Sequence, residues 1–150
     1  MKVLFLDIDG VLNSRRSCVA FGKFPLSPTP QDKPLLDLVA LGLIRKIATA
    51  KDVRVVLSST WRILAKIDAM SEFLGFNIYR YTPILPSGCR GDEIDVWLKA
   101  NPFNITHYAI VDDDSDMLEH QQANFVLTNF DEGLSYKNYV RLCQLLDLSF

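Results

Sequence analysis

The chain has 150 residues, of which 49% are hydrophobic and 23% are charged, and its formal net charge is −2. This length and composition are typical of a folded protein with a hydrophobic core, and they exclude an intrinsically disordered chain. The sequence has no block of lysine and arginine, so non-specific binding to duplex DNA, which needs a basic surface, is not expected.

The first predicted element is a short apolar strand that ends in two carboxylates. Residues 3–6 read Val-Leu-Phe-Leu, and Asp7, Asp9 and Gly10 follow. An unbroken apolar run of this kind predicts a strand that is buried on both faces of a parallel sheet. Such strands present their carboxyl ends to ligands. Two carboxylates at that end predict a bound cation, and we expect Mg²⁺, which prefers oxygen ligands and commonly acts together with phosphate.

The segment 13–34 interrupts the regular pattern of the chain. It contains Pro25, Pro28, Pro30 and Pro34. We predict an irregular structure here, and its length is greater than a simple connection requires. Because it directly follows the acidic motif, we interpret it as a flap over the site.

Helical and strand patterns alternate through the rest of the chain. We predict helices at 35–49, 61–74, 92–100 and 135–148, and strands at 53–57, 76–81, 107–111 and 124–128. This alternation is typical of a three-layer α/β fold, in which a parallel sheet carries helices on both faces. We therefore predict one Rossmann-like domain over residues 1–150, with a sheet of about five strands.

Polar groups follow the ends of several predicted strands or begin predicted helices. Hydroxyl groups and free backbone N–H groups at the start of a helix bind phosphate readily. In an open α/β sheet these groups meet at one edge, where acidic clusters, a hydroxyl and a cation suit magnesium-assisted phosphoryl transfer. The residues in question are Asp7 and Asp9, then Ser58, Ser59, Thr60 and Arg62, then Arg90, and finally Asp112, Asp113 and Asp116.

These motifs, in this order, resemble those of the haloacid dehalogenase (HAD) superfamily. The run from Asp7 to Leu12 resembles its first motif, Ser59 its second, Arg90 its third, and Asp112-Asp113 with Asp116 its fourth. The stretches 56–62, 90–94 and 133–135 are similar to a small HAD subgroup, whose members stand alone or form modules of multi-part RNA-repair proteins.

The resemblance implies a role for each of these residues. Asp7 would be the nucleophile that forms an aspartyl-phosphate, and Asp9 would be the general acid and base, holding a proton that a crowded acidic site favours. Ser59 and the Thr60 amide would bind phosphoryl oxygens, with Ser58 as the alternative. Arg90 would offset negative charge, a role that Arg62 could share. Mg²⁺ would be held by Asp7, the main-chain carbonyl of Asp9, and Asp113 or Asp112, with Asp116 supporting these ligands.

The resemblance also implies a class of reaction. Phosphate-ester hydrolases of this family carry Asp at the position of Asp9, and its transport ATPases carry Thr, so a phosphatase or mutase is expected. The intervals between the motifs are too short for a full cap domain, and the open site could admit a small ester or a nucleic-acid end. We expect a magnesium-dependent phosphomonoesterase. The alternatives are a polynucleotide-end (RNA or DNA 3′-) phosphatase of nucleic-acid repair and a non-catalytic phosphate-binding or regulatory module.

The sequence also bears on the location of the protein. Its amino-terminal apolar run is short and precedes Asp7, so it does not resemble a secretory signal. No stretch approaches the roughly 18 apolar residues of a membrane span. Cys18, Cys89 and Cys143 form no metal-binding pattern and are expected to be reduced thiols. We therefore expect a soluble, cytoplasmic protein, and the sequence leaves its oligomeric state open.

Overall fold

A five-stranded, all-parallel sheet forms the centre of the protein, in a computed structural model that describes residues 1–102 and 104–149. Its strand order is β3-β2-β1-β4-β5, so the first strand of the chain is the central one. This arrangement confirms the predicted Rossmann-like α/β fold. The strands are β1 (Lys2–Leu6), β2 (Val53–Leu57), β3 (Ile78–Tyr81), β4 (His107–Asp112) and β5 (Phe125–Leu127).

Helices cover both faces of the sheet. One face packs its apolar side chains against α2, α3 and α5, and the other packs against α4, where Phe5 meets the ring of Trp97 edge-on at 5.4 Å. Residues 4 and 6 contribute to the first core and residues 3 and 5 to the second, as expected for a strand buried on both faces. The helices are α1 (Arg15–Phe21), α2 (Leu38–Ala48), α3 (Ile67–Leu74), α4 (Arg90–Ala100) and α5 (Tyr136–Leu145).

Helix α1 lies inside the segment that was predicted to be irregular, and that prediction was wrong for residues 15–21. Ser14 and Ser17 form a reciprocal capping box at its start, and Gly22 ends it with a left-handed φ of 94°. These signals are local and polar, and the proline-rich residues that follow obscured them.

The single helix predicted for residues 61–74 is two shorter elements, so this prediction was also wrong. A 3₁₀-helix covers Thr60–Ile63, and α3 begins after Lys66. The guanidinium of Arg62 donates hydrogen bonds back to the carbonyls of Ser58 and Ser59, both at 2.8 Å, and this closes a tight turn. Similarly, the helix predicted from residue 35 begins at Leu38, because the Asp37 side chain caps it there.

The register of the sheet determines which residues meet at its carboxyl edge. Leu6 of β1 lies beside Leu57 of β2 and beside Val111 of β4. The next residue of each strand continues the alignment, since Ser58 N–H donates to the Leu6 carbonyl at 3.0 Å and Asp7 N–H donates to the Val111 carbonyl at 3.1 Å. Residues 7, 58 and 112 are therefore neighbours at one edge, as predicted.

The connections between these elements are short. Among the described residues, the β1–β2 connection holds α1, a 3₁₀ turn and α2, the β3–β4 connection holds α4, and no cap domain is present. No helix of the described chain is both long enough and apolar enough to cross a bilayer.

Candidate active site

Three carboxylates converge at the carboxyl edge of the sheet. Asp7 follows β1, Asp112 ends β4, and Asp113 follows it; one oxygen from each lies within 4.8 Å of the others. Asp7 is 6% exposed and Asp112 is 1% exposed, whereas Asp113 is half-buried. We call these three residues the carboxylate cluster. The structure therefore brings together two acidic motifs that are more than a hundred positions apart in the sequence.

Burial makes negative charge costly in the carboxylate cluster. Desolvation raises the pKa of Asp7 to about 6, although hydrogen bonds from the Ile8 backbone and the Ser59 side chain and the charge of Arg90 oppose the shift. Desolvation and the charge of Asp7 raise the pKa of Asp112 to about 8. The pKa of Asp113 is raised as well, again mainly by desolvation. The cluster is therefore stabilised by a proton or by a bound cation.

The donor atoms of the carboxylate cluster suit a hard divalent cation such as Mg²⁺, because all three are carboxylate oxygens. Asp112 Oδ2 is buried and has no hydrogen-bond partner among the described residues, and the nearest cationic atom is Arg90 Nε at 3.5 Å. Asp112 Oδ1 accepts a hydrogen bond from the Asp114 backbone. A buried carboxylate oxygen left in this state is a natural metal ligand. Asp112 and Asp113 are therefore both candidate ligands for a cation at this cluster.

The carboxylate of Asp9 lies outside the carboxylate cluster and is held by two side chains. Asn13 Nδ2 donates to Asp9 Oδ1 at 2.9 Å, and the indole Nε1 of Trp61 donates to Asp9 Oδ2 at 3.0 Å. Asn13 and Trp61 are both buried, and the Trp61 ring stacks on Phe73 with centroids 5.7 Å apart. The carboxylate of Asp9 therefore has a fixed orientation, with an N–H donor on each of its two oxygens. Neither Asn13 nor Trp61 is among the site residues predicted from the sequence.

The residues after β2 place two hydroxyls next to Asp7. Ser59 is buried, its side chain lies close enough to Asp7 to lower the pKa of that carboxyl, and its hydroxyl accepts a hydrogen bond from the Trp61 backbone at 3.3 Å. Ser58 is also buried, and its Oγ has no hydrogen-bond partner among the described residues. Thr60 is exposed and begins the 3₁₀-helix. Both serines thus lie beside Asp7 at the edge of the sheet, and Ser59 is the one that lowers its pKa.

Arg62 and Arg90 are joined by Glu93, which sequence reasoning did not single out. Glu93 Oε2 lies 2.7 Å from Arg62 Nη2 and 3.1 Å from Arg90 Nη1, and its side chain is 3% exposed. Arg62 is occupied by this pair and by the carbonyls of Ser58 and Ser59, so it holds the loop in place. Arg90 reaches further, toward Asp112. The spacing of Arg90 and Glu93, three residues apart on one helix, is the signal that could have revealed the network.

Replacing Glu93 should destabilise the fold through this network. We expect Glu93→Gln to lower the free energy of unfolding by roughly 3–5 kcal/mol, because the buried guanidinium of Arg62 loses its paired carboxylate and that of Arg90 keeps only Asp112. The measurement is urea unfolding followed by circular dichroism. Glu132→Gln, a change to an exposed glutamate, is the matched control and should move the free energy by less than about 0.5 kcal/mol. Equal midpoints for the two variants would contradict this role of Glu93.

Asp116 caps the start of the helix that carries Arg90. Its Oδ2 accepts a hydrogen bond from the Arg90 backbone N–H at 2.7 Å, and its carbonyl accepts from Gly91 at 3.2 Å. A Cβ on Gly91 would lie 2.9 Å from that carbonyl oxygen, so the two segments pack closely. Asp116 thus supports the site through α4, since the placement of Arg90 depends on this helix start.

An apolar cleft of about 450 Å³ opens beside Asp9. The segment predicted to form a flap supplies part of its wall, and the 3₁₀-helix and the loop after β5 supply the rest. Its lining residues are Asp9, Asn13, Phe24, Pro25, Leu26, Thr60, Trp61, Ile63, Leu64 and Phe130.

Comparison with known proteins gives one family for this chain. The family described as "HAD domain in Swiss Army Knife RNA repair proteins" matches residues 3–139 of the 150-residue chain. No curated protein matches significantly, and neither does any solved structure. The matched range includes every residue of the carboxylate cluster, and it confirms the resemblance inferred from the motifs.

Proposed function

Since the chain belongs to the HAD domains of Swiss Army Knife RNA repair proteins, we propose that it is a magnesium-dependent phosphomonoesterase that works through an aspartyl-phosphate. The observation that carries the proposal is the placement of Asp7, which is buried at a strand end between Ser59 and the carboxylates of Asp112 and Asp113. A carboxylate so placed is a candidate nucleophile with an oxyanion-binding hydroxyl beside it.

In the first step, a carboxylate oxygen of Asp7 attacks phosphorus while the bond between phosphorus and the ester oxygen breaks. Asp9 gives a proton to the departing oxygen, which leaves as an alcohol. The Ser59 hydroxyl and the Thr60 amide bind the equatorial phosphoryl oxygens, and Arg90 offsets their charge. The fixed orientation of Asp9 between Asn13 and Trp61 supports this role, because proton transfer depends on distance and alignment.

In the second step, water attacks the phosphorus of the aspartyl-phosphate, and Asp9 accepts the proton that the water loses. The bond between phosphorus and the Asp7 oxygen breaks, which releases inorganic phosphate and the free carboxylate. Asp7, Asp112 or Asp113, and the main-chain carbonyl of Asp9 would hold the ion. When bound, Mg²⁺ would neutralise the carboxylate cluster and the phosphoryl charge.

A polynucleotide-end phosphatase is the second candidate, because the family is described by its occurrence in RNA repair proteins. The described chain has no cap domain over the site, so a bulky chain end could reach Asp7. A non-catalytic phosphate-binding module is the third candidate. The full set of Asp7, Asp9, Ser59 and the carboxylate cluster disfavours it, because phosphate binding alone does not require a buried acidic cluster.

Release of inorganic phosphate from p-nitrophenyl phosphate tests the proposal. We expect release with Mg²⁺ and none with EDTA, and re-addition of Mg²⁺ should restore it. An RNA oligonucleotide with a 3′-phosphate, compared with a nucleoside monophosphate, separates the first two candidates. Phosphate binding without release from any ester of the panel would favour the non-catalytic module.

Gly10 permits the close approach of Asp113, and its replacement should weaken metal binding. Gly10 has a φ of +78°, and a Cβ there would lie 2.4 Å from the Asp113 carboxylate. We expect Gly10→Ala to lower Mg²⁺ affinity by roughly 10-fold or more, because Asp113 must move. Gly88→Ala is the matched control, since Gly88 has a φ of +67° and nothing within 4 Å of its Cβ position. Calorimetric titration with Mg²⁺ measures both variants, and an equal loss in both would contradict the argument.

A further inference from the structure

We propose that the apolar cleft beside Asp9 is a leaving-group subsite that selects phosphate esters whose alcohol carries an aromatic ring. The inference rests on the proposed phosphatase function and adds its substrate class. Its structural basis is the position of Asp9, which belongs both to the wall of the cleft and to the reacting groups.

The geometry of Asp9 directs the leaving group into the cleft. The group that protonates the departing oxygen must lie within hydrogen-bond reach of it. The Asp9 carboxylate is turned toward Trp61, a residue of the cleft, and lies outside the carboxylate cluster. An ester oxygen in contact with Asp9 would therefore lie at the wall of the cleft, and its carbon substituent would have the cleft beside it.

The mouth of the cleft exposes apolar side chains from three separate parts of the chain. Leu26 is 74% exposed, Ile63 68%, Leu64 48% and Phe130 39%. They come from the connection after β1, from the turn after β2 and from the loop after β5. A concave patch of exposed apolar side chains beside a reacting group is typical of a ligand subsite.

Two features of the lining favour an uncharged aromatic ring. Phe24 and Phe130 contact each other with ring centroids 5.7 Å apart and planes tilted by 33°, so they present aromatic surface to a third ring. Among the described residues that line the cleft, Asp9 is the one with an ionisable side chain. An anionic leaving group would therefore find no counter-charge on these walls, whereas the volume of about 450 Å³ accommodates a ring and its linking atoms.

Benzyl phosphate and n-propyl phosphate test the inference, because their alcohols leave with similar basicity and differ in the ring. For the full chain with Mg²⁺ we expect kcat/KM to favour benzyl phosphate by roughly 10-fold or more. Phe24→Leu and Phe130→Leu, which keep apolar bulk and remove the ring, should each reduce that ratio by roughly threefold or more. Tyr136→Leu, a change to an exposed tyrosine on α5, is the matched control and should leave the ratio unchanged.

Nucleoside 3′- and 5′-monophosphates and tyrosine phosphate extend the panel to two sources of an aromatic leaving group. Because a phenol leaves more readily than n-propanol, each source is judged by the variants: a preference over n-propyl phosphate that Phe24→Leu or Phe130→Leu reduces supports the inference and identifies the source. Equal kcat/KM for benzyl and n-propyl phosphate overturns the inference, and phosphate release from both esters in that case would still support the proposed function.

A binding measurement keeps the inference testable if no ester is hydrolysed, an outcome that would contradict the proposed function. Benzylphosphonate and n-propylphosphonate lack the cleavable ester bond, and Trp61 fluorescence reports their binding in a Trp97→Phe background. We expect benzylphosphonate to bind roughly 10-fold more tightly. Equal affinity of the two phosphonates, or an unchanged affinity ratio in Phe130→Leu, overturns the inference without reference to catalysis.

Discussion

Phosphate release should fall by roughly 10⁴-fold or more when Asp7 is replaced by asparagine, which cannot form the covalent intermediate. The amide has nearly the same shape as the carboxylate and removes a buried negative charge. We therefore expect Asp7→Asn to fold and to be at least as stable as the parent protein at neutral pH. Phosphate release with saturating Mg²⁺ measures the activity, and thermal unfolding measures the stability.

The matched control for this variant is Asp68→Asn, which removes an exposed carboxylate in the first turn of α3. It should retain full activity, and its stability should change by less than about 1 kcal/mol. Metal-dependent hydrolysis by Asp7→Asn at the parent rate would remove Asp7 as the nucleophile. A variant that failed to fold would contradict the view that burial makes the Asp7 charge costly.

The second large effect is a loss of stability with rising pH when the metal is removed. The pKa of Asp7 is raised from 3.8 to about 6, and that of Asp112 from 3.8 to about 8. Between the unfolded pKa of 3.8 and the highest folded value of about 8, the folded state therefore binds more protons than the unfolded state. Stability therefore falls as the pH rises from about 4 to about 8, and it levels off above. Both groups also face Arg90, which lowers their pKa values, and Asp113, which raises them. In EDTA we expect the Tm to drop by roughly 5–10 °C between pH 5 and pH 8.5.

Added Mg²⁺ should reverse this trend, because metal binding requires deprotonated carboxylates and stabilises only the folded state. The rise in Tm on adding Mg²⁺ should therefore be larger at pH 8 than at pH 5.5. Asp112→Asn should flatten the pH dependence in EDTA and reduce the effect of the metal. A Tm in EDTA that stays constant or rises between pH 5.5 and pH 8.5 would rule out buried, protonated carboxylates.

The fold could be predicted from the sequence because its strands carry strong local signals. The apolar runs that end at Leu6, Leu57 and Val111 need two covered faces, and helical periodicity between them requires a parallel sheet. The two largest errors arose where side chains override periodicity. Ser14 and Ser17 start α1 within a proline-rich stretch, and Arg62 bends the chain after β2.

The acidic part of the site could also be predicted, since the ends of parallel strands meet at one edge. Its supporting groups could not. Trp61 Nε1 meets Asp9 across fifty-two positions, and Glu93 joins two arginines from different elements. The contacts of Asp9 with Trp61 and of Glu93 with Arg62 depend on side-chain direction in the folded protein, and the spacing of the sequence indicates only the Arg90–Glu93 pair on α4.

The site spans the central strand β1, with the serines after β2 on one side and the carboxylates of β4 on the other. These two halves can therefore form at different stages of folding. A partly folded species containing only β1 to β3 would already place Asp7 beside Ser58 and Ser59. It would lack Asp112 and Asp113, which arrive with β4. Divalent-ion affinity therefore requires β4 to be docked beside β1, and an ion-sensitive probe would mark that docking during refolding.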